Sequence, residues 1–212
     1  MTTVYLLRHG ALADDARRCF IGHDDWPLAP EGAAQAEALG EMLRERGIGA
    51  IYCSDLLRSR QSAEIIARHT GVPVRIRRDL REIALGEWEG LSRRDVAAQF
   101  PEQHAARGAD IANYRIPGGE SFADVQARML AAWTSIVGES GCSHECIAIV
   151  GHAGANRALL CALLDMPLAG LFALGQDYGG VNIIEIEGSR VCVRLLNGGG
   201  QENRLNQERS KS

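Results

Sequence analysis

The most constraining stretch of this chain is Cys146–Val150, read as Cys-Ile-Ala-Ile-Val, which is apolar at almost every position. A strand with one wet face alternates apolar and polar residues, so an unbroken run predicts a central parallel strand buried on both faces. Parallel strands need crossovers, and the rest of the sequence supplies them. Thr3–Leu7, Ala50–Cys53 and Val74–Arg77 read as strands. Pro30–Arg46, Asp55–His69, Ser121–Val137 and Gly154–Leu164 have the apolar spacing of helices, and Gly47 and Gly71 stop the first two. Ser92-Arg-Arg-Asp95 reads as a capping box that opens a short helix. Val181–Ile186 and Val191–Leu195, parted by Gly188-Ser189, read as a hairpin.

The expected fold is therefore α/β, a three-layer sandwich. Its mainly parallel sheet carries helices on both faces and the hairpin at one edge. Positions 101–120, polar and rich in Gly and Pro, are expected to form a lid-like excursion. A single domain is expected over 1–197, with a polar, mobile tail over 198–212, because no linker-like stretch divides the 212 residues.

A net charge of −4 argues against general nucleic-acid or anionic-membrane binding. No run has the length of a membrane span, and Val4 follows Met1-Thr2-Thr3 with neither a basic nor a long apolar leader. With six scattered cysteines, these features predict a cytoplasmic protein with reduced thiols. Cys142-Ser-His144-Glu-Cys146 offers two or three metal ligands where a structural zinc site needs four, so no metal is expected.

Two histidines stand just past predicted strands, where α/β enzymes place their chemistry. His9 lies in Leu7-Arg8-His9-Gly10. His152 lies in Val150-Gly151-His152-Ala153-Gly154, at the start of a helix whose amides can hold an anion. Small residues at 151, 153 and 154 would let a ligand approach the backbone. Either histidine alone is commonly structural; two at equivalent points of the topology suggest a site. Arg58 follows the second strand, and Glu82 lies in the loop after the third.

In order, Leu7–Gly10, Pro27-Leu28 with Gly32 and Gln35-Ala36, Ser54-Asp55-Leu56 with Arg58, Glu82 with Gly86 and Glu89-Gly90, Pro117–Phe122, and His152 with Gly154 resemble the histidine phosphatase superfamily over nearly the whole chain. The resemblance implies that His9 is the nucleophile and takes up the phosphoryl group. Arg8, Arg58 and His152 would grip its oxygens, and Glu82 would act as general acid. Gly10 and Ala153 would also line the phosphate site, with Asp15, Gly22 and Glu120 as further binding candidates. Positioned cations suit phosphoryl transfer, which spreads negative charge over three oxygens; a protonated His152 would add one more. His9 must be neutral to attack, and its other ring nitrogen is expected to donate to a backbone carbonyl. Glu82 is expected among Ile83, Leu85 and Trp88. The scheme requires no cofactor.

The sequence departs from the family at Ala11-Leu12, where Glu-Thr or Gln-Thr is usual, and at Asp15, where Asn is usual. Asp15 is therefore expected to turn away from the phosphate and pair with Arg17 or Arg18. Phe20–His23, Pro117–Ser121 and Asp177-Tyr-Gly179 most resemble phosphatases for α-ribazole phosphate in cobalamin assembly and for sugar phosphates. The implied partner is a small phosphate ester bound by a monomer or homodimer. Two alternatives remain open: a phosphoglycerate mutase, and a non-catalytic binder of phosphorylated ligands. Trp26, Trp88 and Phe100 are either pocket or core.

Overall fold

A computed structural model describes residues 1–140 and 146–199. Six strands form one mixed sheet in the order β3-β2-β4-β1-β5-β6. They are β1 (Thr2–Arg8), β2 (Ile48–Cys53), β3 (Val74–Ile76), β4 (Cys146–Gly151), β5 (Val181–Glu187) and β6 (Arg190–Gly198). β1 to β4 run parallel, and β5 joins β1 antiparallel and turns into β6 as the edge hairpin.

Successive residues of a strand face opposite sides, and β4 shows the result. Ile147 and Ile149 enter one core, Ala148 and Val150 the other. β1 divides in the same way, Val4 and Leu6 against Tyr5 and Leu7. The first core lies under α6 (Phe122–Ser140) and α7 (Ala153–Leu163), the second under α2 (Pro30–Leu43) and α3 (Leu57–Thr70). The C-cap of α3 is Gly71 at φ 72°, a left-handed position that glycine adopts without a Cβ penalty.

Ser92 caps α4 (Arg93–Gln99), its hydroxyl accepting the Asp95 amide at 3.1 Å. The excursion is more regular than the sequence suggests, because Pro101–Ala109 is a helix, α5. Pro101 occupies its first turn, where a missing N–H costs nothing. The last strand also runs one residue past the expected end of the domain, to Gly198; residues 200–212 lie outside the described residues. No helix among the described residues is long and apolar enough to cross a membrane.

Candidate active site

β1 and β4 are parallel neighbours whose register pairs Arg8 with Gly151. Adjacent strands lie about 4.8 Å apart, so the next residue of each must emerge beside the other. His9 and His152 do so, with ring centroids 5.2 Å apart, and the His9 amide donates to the Gly151 carbonyl at 3.1 Å. The helices that follow these strands, α2 and α7, cover opposite faces of the sheet. That divergence opens a crevice at the carboxyl ends of the strands.

His9 is 4% exposed, and its Nδ1 lies 2.8 Å from the Gly10 carbonyl. A carbonyl only accepts, so the ring hydrogen sits on Nδ1 and the lone pair on Nε2. Burial, then the charges of Arg58 and Arg8, hold the His9 pKa well below its ordinary value and keep the ring neutral. Both arginines are themselves anchored on carbonyls. Arg8 Nη1 donates to Gln176 O at 2.6 Å, with its guanidinium 3.6 Å from the Tyr178 ring centroid. Arg58, 2% exposed, donates to Asp24 O and Gly22 O, each at 2.7 Å.

His152 presents the opposite nitrogen. Its Nε2 lies 2.7 Å from Ser54 Oγ, while its buried Nδ1 and the buried Nε of Arg8 have no hydrogen-bond partner among the described residues. Burial, then Arg58, His9 and Arg8, push the His152 pKa well down. That shift favours the neutral ring, where the sequence left its charge open. An anion beside these groups would meet two buried donors whose desolvation is otherwise uncompensated.

Glu82 is half-buried in a different setting from the expected apolar one. Its Oε1 accepts the amides of Ile83 and Ala155, and its Oε2 accepts that of Gly154, each at 2.9 Å. The carboxylate thus caps the N-terminus of α7, where the helix dipole favours negative charge. A Cβ on Gly154 would stand 2.6 Å from Glu82 Oε1, so this small residue admits the protein's own carboxylate. The Glu82 loop is held by Asp55, which receives Arg81 through two bonds of 2.6 Å, and by His23, whose Nε2 lies 2.8 Å from Glu82 O.

Arg8, His9, Gly22, Arg58, Glu82 and Ala153 share the wall of a cleft of about 620 Å³. His152 lies directly behind that wall, 0% exposed. Three sequence candidates do not belong there. Gly10 spends its amide on Ser62 Oγ, and a Cβ at that position would collide with the Gly32 carbonyl, so its role is close packing. Glu120 faces inward, paired with Arg128 at 2.9 Å and accepting the Ala84 amide, because the Glu82 loop needs an internal brace. Asp15 sits exposed on α1, the one-turn helix Asp14–Arg17, and does not itself line the cleft, although its neighbour Ala16 does. Pairing with Arg18 is not seen among the described residues, and the Arg17 side chain lies outside them.

The cleft also holds residues that sequence reasoning missed: Phe20, Arg107, Phe122, Arg157, Phe172 and Tyr178. Trp88 instead packs in the core, and neither Trp26 nor Phe100 lines the cleft. Ser54 was missed as a partner of His152, although its place immediately after β2, another strand end, was a usable signal. Residues 142–145 of the cysteine-rich segment lie outside the described residues. Among those described, no three His, Cys, Asp or Glu side chains group as a metal site requires.

Comparison with known proteins agrees with this fold. A family profile described as "Histidine phosphatase superfamily (branch 1)" matches residues 4–198. An adenosylcobalamin/α-ribazole phosphatase of Salmonella typhimurium is 29% identical, covering 92% of this chain and 95% of its own. A glucosyl-3-phosphoglycerate phosphatase of Mycobacterium tuberculosis is 35% identical, covering 80% of this chain and 78% of its own. The crystal structure of the α-ribazole phosphatase from Shigella flexneri superposes with a TM-score of 0.85 at 26% identity, covering 93% of this chain and 96% of that one.

Proposed function

The chain belongs to the histidine phosphatase superfamily, branch 1, and on that premise we propose that it is a phosphomonoesterase working through a phosphohistidine on His9. Its substrate is a small phosphorylated metabolite of the α-ribazole phosphate or sugar phosphate kind. The observation that carries this reading is the His9 ring: neutral, fixed through Nδ1 on the Gly10 carbonyl, and set between two anchored guanidinium groups.

The Nε2 lone pair attacks phosphorus, the N–P bond forms, and the bond to the ester oxygen breaks. Arg8 and Arg58 stabilise the three phosphoryl oxygens. With the Ser54 hydroxyl donating a hydrogen bond to Nε2 of His152, the ring hydrogen of His152 sits on Nδ1, and this neutral donor completes the grip. The leaving alkoxide takes a proton from Glu82. Oε1 already accepts two amides and Oε2 only one, so Oε2 is the oxygen with room for that proton. Water then attacks phosphorus and gives Glu82 a proton, the N–P bond breaks, and neutral His9 and inorganic phosphate are released. Among the described residues Cys19, Cys53, Cys161 and Cys192 form no disulfide, which suits a reducing cytoplasm.

Rapid alkaline quench during turnover of a ³²P-labelled ester should trap acid-labile phosphate on His9, and His9→Ala should lose both label and turnover. A label on another residue, or turnover surviving in His9→Ala, would refute the mechanism.

A further inference from the structure

Glu82 belongs to neither a helix nor a strand; it lies between the short helical turns Arg78–Leu80 and Gly86–Trp88. A proton carrier must nevertheless stay within hydrogen-bond reach of the leaving oxygen, because a displacement of about 1 Å can lower the rate about 10²-fold. The first amides of α7 hold the Glu82 carboxylate, but a loop has no ladder of its own to hold the main chain beneath it.

That main chain is gripped from α6. Arg128 engages all five guanidinium hydrogens: Nη1 donates to Asp79 O at 2.9 Å and Arg81 O at 3.0 Å, Nη2 to Glu82 O at 3.4 Å and Glu120 Oε2 at 2.9 Å, and Nε to Glu120 Oε1 at 3.0 Å. Glu82 O also receives His23 Nε2, at 2.8 Å. Three carbonyls of the loop thus converge on one planar fork, a geometry that the single nitrogen of a lysine cannot supply. Glu120 balances the charge and carries the grip past Glu82. Its Oε2 accepts the Ala84 amide at 3.0 Å, and its own amide donates to Ala84 O at 2.9 Å. The base of the clamp is rigid, since Val125, Met129 and Ala132 of α6 are buried in the first core. Neither Arg128 nor Glu120 lines the cleft.

We propose that Arg128 is the positioning residue of the acid: through the loop main chain it keeps Glu82 Oε2 where the leaving oxygen collects its proton. This rests on the phosphatase reading, with Glu82 as the acid, and adds the residue on which that acid depends. Without the fork the loop carbonyls turn to water and Glu82 shifts. His9 does not shift with it, because β1 and the Gly10 carbonyl hold it independently. Phosphoryl transfer then continues for esters whose leaving group needs no proton and falters for the rest.

Two esters of similar shape separate these cases: 4-nitrophenyl phosphate, whose leaving group needs little help, and 4-nitrobenzyl phosphate, which must leave as an alkoxide. Arg128→Met should lower kcat/KM about 10²-fold on the benzyl ester and less than about tenfold on the phenyl ester. Arg128→Lys, which keeps a charge opposite Glu120 but not the fork, should show the same selectivity. Added to Glu82→Gln, Arg128→Met should remove no further benzyl-ester activity, because both changes abolish one function. With Glu82→Gln itself selective, equal losses on the two esters or none in either Arg128 variant, or additive losses in the double variant, would overturn the inference and leave the acid standing. An unselective Glu82→Gln would instead defeat the acid, and the inference with it. Amide hydrogen exchange reads the clamp without turnover. The Gly154 and Ala155 amides, which donate to Glu82, should exchange at least about tenfold faster in Arg128→Met, with the middle of α3 unchanged. Unchanged exchange at those two amides, or a uniform rise along the chain, would overturn the positioning role even if neither ester were hydrolysed and the phosphatase reading had failed.

Discussion

The ends of β1 and β4 carry the same residue type at paired positions, yet the two histidines are held in opposite ways. At the end of β1 the partners are backbone: His9 on Gly10 O and Arg8 on Gln176 O, with Arg58 nearby on Asp24 O and Gly22 O. At the end of β4 they are side chains, Ser54 against His152 and Glu82 against the first amides of α7. A carbonyl cannot be mutated away, whereas a hydroxyl or carboxylate can. The nucleophile and its two arginines are thus fixed by backbone carbonyls, and His152 and the first turn of α7 are held by replaceable side chains.

The sharpest test of that contrast is Glu82→Gln. If Glu82 supplies the proton, hydrolysis of an alkyl phosphate should fall by about 10²-fold or more, the scale of general acid catalysis. p-Nitrophenyl phosphate, whose leaving group needs little help, should lose less than about tenfold. Equal losses on both would show that Glu82 acts only as the cap of α7. A smaller effect is expected for Ser54→Ala. Losing one neutral hydrogen bond should cost kcat/KM about tenfold, or roughly 1.4 kcal/mol. Vanadate should bind correspondingly more weakly, while label still forms on His9 and Ser54→Thr restores function. An unchanged vanadate affinity would mean that His152 keeps its tautomer without Ser54, and the contrast between the two strand ends would fail.

What was legible in the sequence follows the same division. The unbroken apolar run at Cys146–Val150 announced a buried parallel strand, because both of its faces had to be covered. His9, His152, Arg8 and Arg58 were legible because chain position relative to a strand end fixes where a side chain emerges. The cap of α7 by Glu82 was not, since it joins residues 72 positions apart, and neither partner's local pattern signals the other. Glu120 misled for the converse reason: a carboxylate in a polar loop looks available until Arg128, on α6, is seen to hold it. The helix at Pro101–Ala109 was hidden by its flanking proline and glycines, which mark both loops and helix starts. Arg107 was obscured with it.

Two uncharged imidazoles beneath guanidinium groups also tie the protein's endurance in acid to its chemistry. An unfolded chain protonates both rings as pH falls through their ordinary value of 6.5, whereas the fold refuses those protons until well below it. Above that value neither state binds them and the rings exert no pull. Below it, the unfolded state gains protons that the native state lacks, so unfolding becomes easier with each step downward. Each histidine contributes a slope of up to about 1.4 kcal/mol per pH unit. Urea melts between pH 7 and pH 5 should show the midpoint dropping, less steeply in His152→Asn, and a flat profile would mean that the rings are not neutral in the fold. The arrangement that keeps His9 ready to attack in mild acid is also where acid begins to dismantle the molecule.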